Sequence, residues 1–385
     1  MLIGIPKEIM QNERRVSATP ETVALMVKDG LTVHVEKSAG EGSYYTDAQY
    51  VEAGAQIIDD VAEIFAKADV ILKVKEPQFN KVKQLHEVDM MKKGQYLITF
   101  IHPAAPSNHD MVKALAAKGV NAFTLDGLPR IPRAEKMDPL ISMSICAGYK
   151  GMVMAMDSLT RFTPEIYTVV GTLPPIKTLI IGAGVSGMQS AITAKNMGSI
   201  VHIVDVSPQA NERGRNIGAV VEDLGIPESD AVGEDGVVKN LPQERMEALH
   251  RKLREILPEF DVVVTTALVP NKKAPILITE EMVKTMKPGS VIVDISVDQG
   301  GNCEITEAGE VVIKHDVIIN GIKNLPGRIP TSSTLLFSKN SYEMFKYLLK
   351  DGKIEFDRND EIIKGILTTY NGEVVHEGAL EAMNG

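Results

Sequence analysis

Apolar positions in the first third of the chain fall into short runs, "LIGIPKE", "LTVHVEK", "DVILKVK", "YLITFI" and "VNAFTLD", too brief for helices and too apolar for loops. Between them the spacing changes to a helical period. "TPETVALMVKDG" predicts a helix with Thr19 as N-cap, Pro20 at its first position and Gly30 as its stop, and "NHDMVKALAAKG" predicts another. Strands alternating with helices imply a mostly parallel sheet covered on both faces. A second series follows. "AGYKGMVMAMDSLTRF" reads as a helix leading out of the first domain, then come the buried-type strands "KTLIIG", "IVHIVD", "DVVVTTAL" and "SVIVDIS". The polar stretch between Asp205 and Asp261 holds an expected mobile surface loop, "LGIPESDAVGEDGVVKN", and a charged helix, "PQERMEALHRKLREIL". From about residue 325, "PTSSTLLFSKNSYEMFKYLLK" predicts a long helix returning to the first domain. The expected organisation is α/β: two lobes with a cleft between them, residues 1–142 with 325–385 forming a discontinuous first lobe and 143–324 the second.

Length and composition narrow the class. A chain of 385 residues suits two domains, and 44% apolar with 24% charged residues is a globular balance. The net charge of −10 argues against nucleic acid or an anionic membrane surface as partner. No apolar stretch reaches the roughly 18 residues that span a bilayer, and "MLIGIPKEIMQNERR" carries charge where a signal peptide needs apolar residues. Cys146 and Cys303 make no disulfide framework or metal spacing, which points to a reducing cytoplasm. The 18 methionines, three of them in "GMVMAM", read as core packing.

One stretch carries specific chemistry. In "LIIGAGVSGMQS" the glycines Gly182, Gly184 and Gly187 follow a strand and open a helix, and Asp205 ends the next strand eighteen residues after Gly187. That is the turn of a Rossmann-like dinucleotide site. Gly182 permits the tight turn, Gly184 the approach of backbone to a diphosphate, Gly187 close helix–strand packing. The helix N-terminus offers N–H groups and positive potential. Asp205 is expected to bind the adenosine ribose hydroxyls and repel a 2′-phosphate, which selects NAD(H). Ala183, Val185, Ser186, Val206, Ala267 and Leu268 complete the expected cofactor contacts. A ligand-free tight turn is the bland alternative.

Ionisable residues at strand ends form a second set: Arg15 in "NERRVSATP", Lys75 in "LKVKEP", His102 in "FIHPAAP" and Asp298 in "DISVDQGGN". Arg15 suits a carboxylate clamp, Lys75 can polarise a carbonyl, and a His–Asp combination can move a proton. Each also has a structural reading: Arg15 paired with Glu13 or Glu8, Lys75 with Glu76, His102 satisfied near Pro103. The stiff segment "LPRIPRAEKMDPL" brings Arg130 and Arg133 within expected reach of a phosphate or the nicotinamide end of a cofactor, or is simply a rigid linker.

Over nearly its whole length the chain resembles the family containing alanine dehydrogenase and the NAD(H)-binding domain of proton-translocating NAD(P) transhydrogenase. The resemblance rests on "IGIPKE", "ERRVSATPETV", "LKVKEP", "IIGAGVSGMQS", "MKPGSVIVDISVDQGGNCE" and "NLPGRIPTSST". "PRIPRAEKMD", "AGYKG", "TLPP", "TTALVPNKKAPILITEEMV", "GGNCE" and the long insertion after Asp205 are similar to the transhydrogenase branch. That branch has a loop near the nicotinamide with an Arg, a Gln five residues on and an Asp three further. Here Arg130 and Asp138 match and Glu135 stands at the Gln position; Ile141 replaces a serine, and Val237 a tyrosine of the insertion.

The transhydrogenase resemblance implies an NAD(H)-binding alpha subunit passing hydride to NADP⁺ on a partner, with Arg130, Glu135 and Asp138 beside the reacting end. Its implied partners are a membrane subunit, an NADP(H)-binding subunit and a second copy in a homodimer. Its implied location is the cytoplasmic, inner face of the cell membrane. Against this, Arg15, Lys75, His102 and Asp298, with Asn324 in "KNLPG", resemble the alanine dehydrogenase pocket. That implies a free-standing enzyme converting alanine, NAD⁺ and water to pyruvate, ammonium and NADH. A third alternative is a non-catalytic module that senses NAD(H) redox state.

Overall fold

The computed structural model describes residues 1–233, 239–269 and 273–384. Val237, the insertion's departure from the family pattern, lies outside the described residues. The chain divides into two compact units, Met1–Met143 with Gly327–Gly385, and Ser144–Pro326.

In the first unit the principal strands are β1 (Leu2–Ile5), β2 (Thr32–Glu36), β3 (Gln56–Ile58), β4 (Val70–Leu72), β5 (Tyr96–Thr99) and β6 (Asn121–Thr124). The first helix, Pro20–Lys28, starts as its sequence dictates. Thr19 caps the Thr22 amide, Thr22 returns a bond to the Thr19 amide, Pro20 opens the first turn, and Gly30 at φ 81° lets the chain turn away after the C-cap.

The second unit contributes β7 (Lys177–Ile181), β8 (Ile200–Val204), β9 (Val220–Val221), β10 (Val262–Thr265), β11 (Val291–Asp294), β12 (Val311–Lys314) and β13 (Val317–Asn320). The chain then returns through the helix Pro330–Leu348 to the first unit and adds β14 (Leu367–Tyr370) and β15 (Glu373–Val374).

The first sheet has the order β15-β14-β6-β5-β4-β1-β2-β3, parallel from β3 to β6 and antiparallel where β14 and β15 join. The second has the order β9-β8-β7-β10-β11-β13-β12, parallel except for the edge strand β12. Both are doubly wound. Strand order reverses between β1 and β4 in one unit and between β7 and β10 in the other, and ligands bind at the carboxyl ends of strands at such points.

Both faces of the second sheet are buried. Ile180, Ile203, Val262, Val264 and Val293 pack with Ala191 and Ala194 on one side, while Leu179, Ile181, Val263 and Ile292 pack with Leu249 and Leu253 on the other. Period-2 alternation is therefore absent from the sequence, and the strands read as continuous apolar runs.

Two elements differ from the sequence reading. The helix expected from Ala147 begins at Pro139 and runs to Ser158, because the Asp138 carboxylate accepts the Leu140 and Ile141 amides at 2.8 and 3.4 Å and starts it early. The stretch expected as a loop after Asp205 contains a short helix, Glu228–Ala231, whose end is held by Lys239 N–H donating to Ala231 O. Among the described residues, no helix is long and apolar enough to cross a membrane.

Candidate functional site

The glycine turn sits at the switch point of the second unit. After β7 the chain bends at Gly182, φ 92°, and the helix Val185–Asn196 follows at once. A Cβ on Gly187 would lie 1.8 Å from the Gly182 carbonyl oxygen, so only glycine lets the helix approach the strand this closely. The turn after β10 closes the other side: Thr266 Oγ1 donates to Gly182 O at 2.8 Å.

The first turn of the helix has no side-chain cap. Gly184 is the N-cap and has no side chain to cap the first-turn amides, and a Cβ there would meet no heavy atom within 4 Å. Ser186 Oγ is buried with no hydrogen-bond partner. A buried hydroxyl without a partner is costly, and it marks a position where an acceptor belongs. An uncapped helix N-terminus with an orphan hydroxyl fits the diphosphate of a dinucleotide.

Asp205 stands at the end of β8. Its Oδ2 accepts Ala183 N–H at 2.6 Å and its Oδ1 accepts Ser207 N–H at 2.7 Å. Burial raises its carboxyl above the usual range, against the pull of these two amides and of Arg213. Each oxygen keeps a second lone-pair direction for ribose hydroxyls. Val206 lies beside it, lining a cavity of about 350 Å³ with Pro208, Asn211 and Val221. Past β10, Leu268 is 40% exposed, while Ala267 is fixed on both sides by the fully buried Asn302. The Ala267 N–H donates to Asn302 Oδ1 at 3.0 Å, and Asn302 Nδ2 donates to Ala267 O at 2.9 Å. Asn302 is in turn placed by Asp294, whose Oδ2 accepts the Asn302 and Cys303 amides. Asn302, Asp294 and Thr266 are support residues that sequence reasoning missed; the Asn and Asp lie inside the quoted "VIVDISVDQGGNCE" segment, but only the folded loop pairs them. Asp298 is exposed in the same segment, and the Asn324 N–H lies 3.5 Å from its Oδ2.

The remaining predicted residues belong to the first unit. Arg15 is buried and doubly bonded to Glu13, Nε to Oε1 at 2.7 Å and an Nη to Oε2 at 2.6 Å. Burial pushes the Glu13 carboxyl up, but the Arg15 bonds and charge outweigh it and hold it down at about 2. The guanidinium fork that the sequence offered to a ligand carboxylate thus holds one from its own chain. Of the two lysines in "LKVKEP", Lys73 is the fully buried one. Its Nζ lies 3.2 Å from Glu87 and 3.4 Å from Glu8. Lys75 is half-buried, and Glu8 Oε1 faces both the Val74 amide at 2.6 Å and the Lys75 amide at 3.4 Å. Glu8, offered by the sequence as a partner for Arg15, belongs to Lys73.

His102 adopts a left-handed backbone, φ 49°, stacks on Phe100 and sets Nδ1 3.3 Å from Asp126 Oδ2. Asp126 also accepts the Ile101 and His102 amides and the Thr124 hydroxyl. Burial works against the charged imidazole, but Asp126 and Glu76 together raise its titration above the usual histidine range. Burial raises the Asp126 carboxyl, but His102, Thr124 and the amide bond together bring it down to about 2.

In the proline-rich segment, Arg130 and Glu135 are exposed and Asp138 is 4% exposed, its carboxyl raised by burial against the Leu140 and Ile141 amides and the Arg130 charge. Arg133 corrects the sequence reading. Instead of waiting for a phosphate it binds Asp360 through both Nη atoms, at 3.1 and 2.7 Å, and Glu361 at 3.0 Å.

Residues 4–147 match the family model "Alanine dehydrogenase/PNT, N-terminal domain", and residues 151–377 match "Alanine dehydrogenase/PNT, C-terminal domain". The chain is 37% identical to the first of the NAD(P) transhydrogenase alpha-subunit chains of Rhodospirillum rubrum, covering 98% of each. It is 33% identical to alanine dehydrogenase of Staphylococcus saprophyticus, over 100% of this chain and 97% of that one. Among solved structures, the transhydrogenase of Sinorhizobium meliloti superposes with a TM-score of 0.84 at 34% identity, over 98% of this chain and 99% of that chain. With both domain models matched in order along nearly all of its length, the chain belongs to the alanine dehydrogenase/PNT family.

Proposed function

We propose that this chain is the NAD(H)-binding alpha subunit of a proton-translocating NAD(P) transhydrogenase, exchanging hydride with NADP(H) held on a partner. One observation carries the cofactor reading: the orphan Ser186 hydroxyl at an uncapped helix N-terminus on the switch point. The end-to-end agreement with the Rhodospirillum rubrum alpha-subunit chain, at higher identity than the alanine dehydrogenase relative, supports this branch of the family.

In this reading the first-turn amides of Val185, Ser186 and Gly187 and the Ser186 hydroxyl hold the diphosphate. Asp205 and Val206 hold the adenosine ribose, and Ala183, Gly182, Gly184, Ala267 and Leu268 shape the turn around it. Bound NADH supplies the hydride. Arg130 and Glu135 supply charge for the reacting end from the segment that ends at Asp138, which caps the following helix. Residues 143–324 act as the nucleotide-binding domain, and 1–142 with 325–385 as the lobe that carries the loop. A membrane subunit, an NADP(H)-binding subunit and a second copy of the chain are the partners, which places it on the inner face of the cell membrane. Mixing the purified chain with an NADP(H)-binding transhydrogenase subunit, NADPH and an oxidised NAD analogue tests this. Analogue reduction is expected; its absence with both proteins folded overturns the reading.

The bonded His102–Asp126 pair favours a second reading, an alanine dehydrogenase-like enzyme, because hydride exchange between nucleotides has no use for a proton carrier. NADH oxidation driven by pyruvate and ammonium, lost in His102→Ala, is its signature.

A further inference from the structure

We propose that Glu222 reads the base of the dinucleotide, accepting the 6-amino group of adenine and rejecting a purine with a carbonyl at that position. The inference rests on the dinucleotide reading of the glycine turn and adds a residue to it.

Three neighbouring strands set the line of the ligand. β7 ends in the glycine turn, β8 in Asp205 and β9 in Glu222, with the Glu222 N–H donating to Ile203 O at 2.9 Å to continue the ladder past the last β8–β9 pair. Adjacent strands are about 4.8 Å apart. A diphosphate at the first end and a ribose at the second carry the base over the third. There the cavity of about 350 Å³ opens, with Val206, Pro208, Val221, Leu224 and Ile226 as apolar surfaces for a flat ring.

The polar edge of that cavity is acidic. Glu222, Asp223 and Glu228 line it beyond Asp205, with Arg215 as the opposing charge. The three carboxylates are not equivalent. Asp223 and Glu228 are exposed, and Asp223 Oδ1 is engaged by the Gly225 amide at 2.9 Å. Glu222 is 23% exposed and its Oε1 lies 2.7 Å from His202 Nδ1, on a ring that is itself 12% exposed and packed edge-on against Phe260. The histidine fixes the carboxylate before any ligand arrives and leaves its second oxygen for one. A carboxylate only accepts hydrogen bonds. It suits the 6-amino donor of adenine and opposes the 6-carbonyl of hypoxanthine, where two acceptors would face each other without a proton.

The test compares binding of NADH and of reduced nicotinamide hypoxanthine dinucleotide to the intact chain by calorimetry. The wild-type chain is expected to prefer NADH by about tenfold or more, the size of one charge-assisted bond. In Glu222→Gln the two are expected to bind within about twofold of each other, since a side-chain amide donates as well as accepts. Equal binding by the wild-type chain overturns the proposal, as does a preference that survives Glu222→Gln or one that vanishes in Asp223→Asn with Glu222 intact. Failure of the chain to bind NADH at all is a separate result: it removes the dinucleotide reading, and this inference with it.

Discussion

The Asp205 carboxylate accepts the Ala183 backbone N–H at 2.6 Å, joining the end of β8 to the glycine turn that follows β7. In the proposed reading, the acid that selects the cofactor is therefore also a strut of the turn that binds it. Asn at this position keeps one acceptor oxygen and loses one of the two amide bonds. Asp205→Asn is expected to weaken NADH binding about tenfold and to lower unfolding stability by about 1 kcal/mol. Calorimetric titration beside urea unfolding separates the two effects; unchanged NADH affinity would remove Asp205 from the site.

Gly184 and Gly187 make a matched pair. A Cβ at 187 meets the Gly182 carbonyl at 1.8 Å, and that oxygen is backbone and has little freedom to retreat. Gly187→Ala is expected to cost about 3 kcal/mol of stability and to abolish NADH binding. A Cβ at 184 meets nothing, so Gly184→Ala should fold with wild-type stability yet bind NADH more weakly, because in the proposed reading the methyl stands where the diphosphate approaches. Thermal unfolding and NADH titration of both variants check this. Full affinity in Gly184→Ala would argue that the ligand passes elsewhere.

Lys73 is fully buried between Glu8 and Glu87, and removing it leaves two carboxylates without a counter-charge. Lys73→Met is expected to lose about 3–5 kcal/mol, and a chain that also carries Glu8→Gln and Glu87→Gln should recover much of it. Burial, with repulsion from Glu87 and Glu13, pushes the Glu8 carboxyl up to about 7 despite Lys73 and the Val74 amide. The folded chain then holds a proton that the unfolded chain releases near 4.5. The stability this contributes is fully present below about 4.5 and is lost as pH rises through 7. Urea unfolding of Lys73→Met at pH 5 and pH 8 should show the larger penalty at pH 8.

His102 faces Asp126 at 3.3 Å, and its titration is raised. The ion pair exists below the midpoint of that titration and dissolves above it, so its contribution to stability falls as pH rises past the ordinary histidine value of 6.5. NMR titration of the His102 ring is expected to give a midpoint above 6.5 in the wild-type chain and a lower one in Asp126→Asn. Identical midpoints in the two proteins would dissolve the pairing.

The candidate site was unevenly legible. Thr19–Pro20–Thr22 and the glycine turn are local: their consequences depend on neighbours within a few residues, so spacing alone exposes them. Arg133 could not be read this way, because its partner Asp360 lies 227 residues away. Nor could the full burial of Lys73 beside the half-buried Lys75, because its partners Glu8 and Glu87 come from other segments of the chain.

By itself, the order of apolar runs and glycines determined that this protein would be built from parallel strands, with a dinucleotide turn on the first strand of its second series. Hydrophobic period and backbone freedom are properties of contiguous residues. The tertiary structure alone decided which distant charges are already paired: Arg133 to Asp360, Lys73 to Glu8 and Glu87, Glu222 to His202. Whether a charged group is open to a ligand depends on the burial and partners that distant segments bring to it. Those are fixed only when the sheets close.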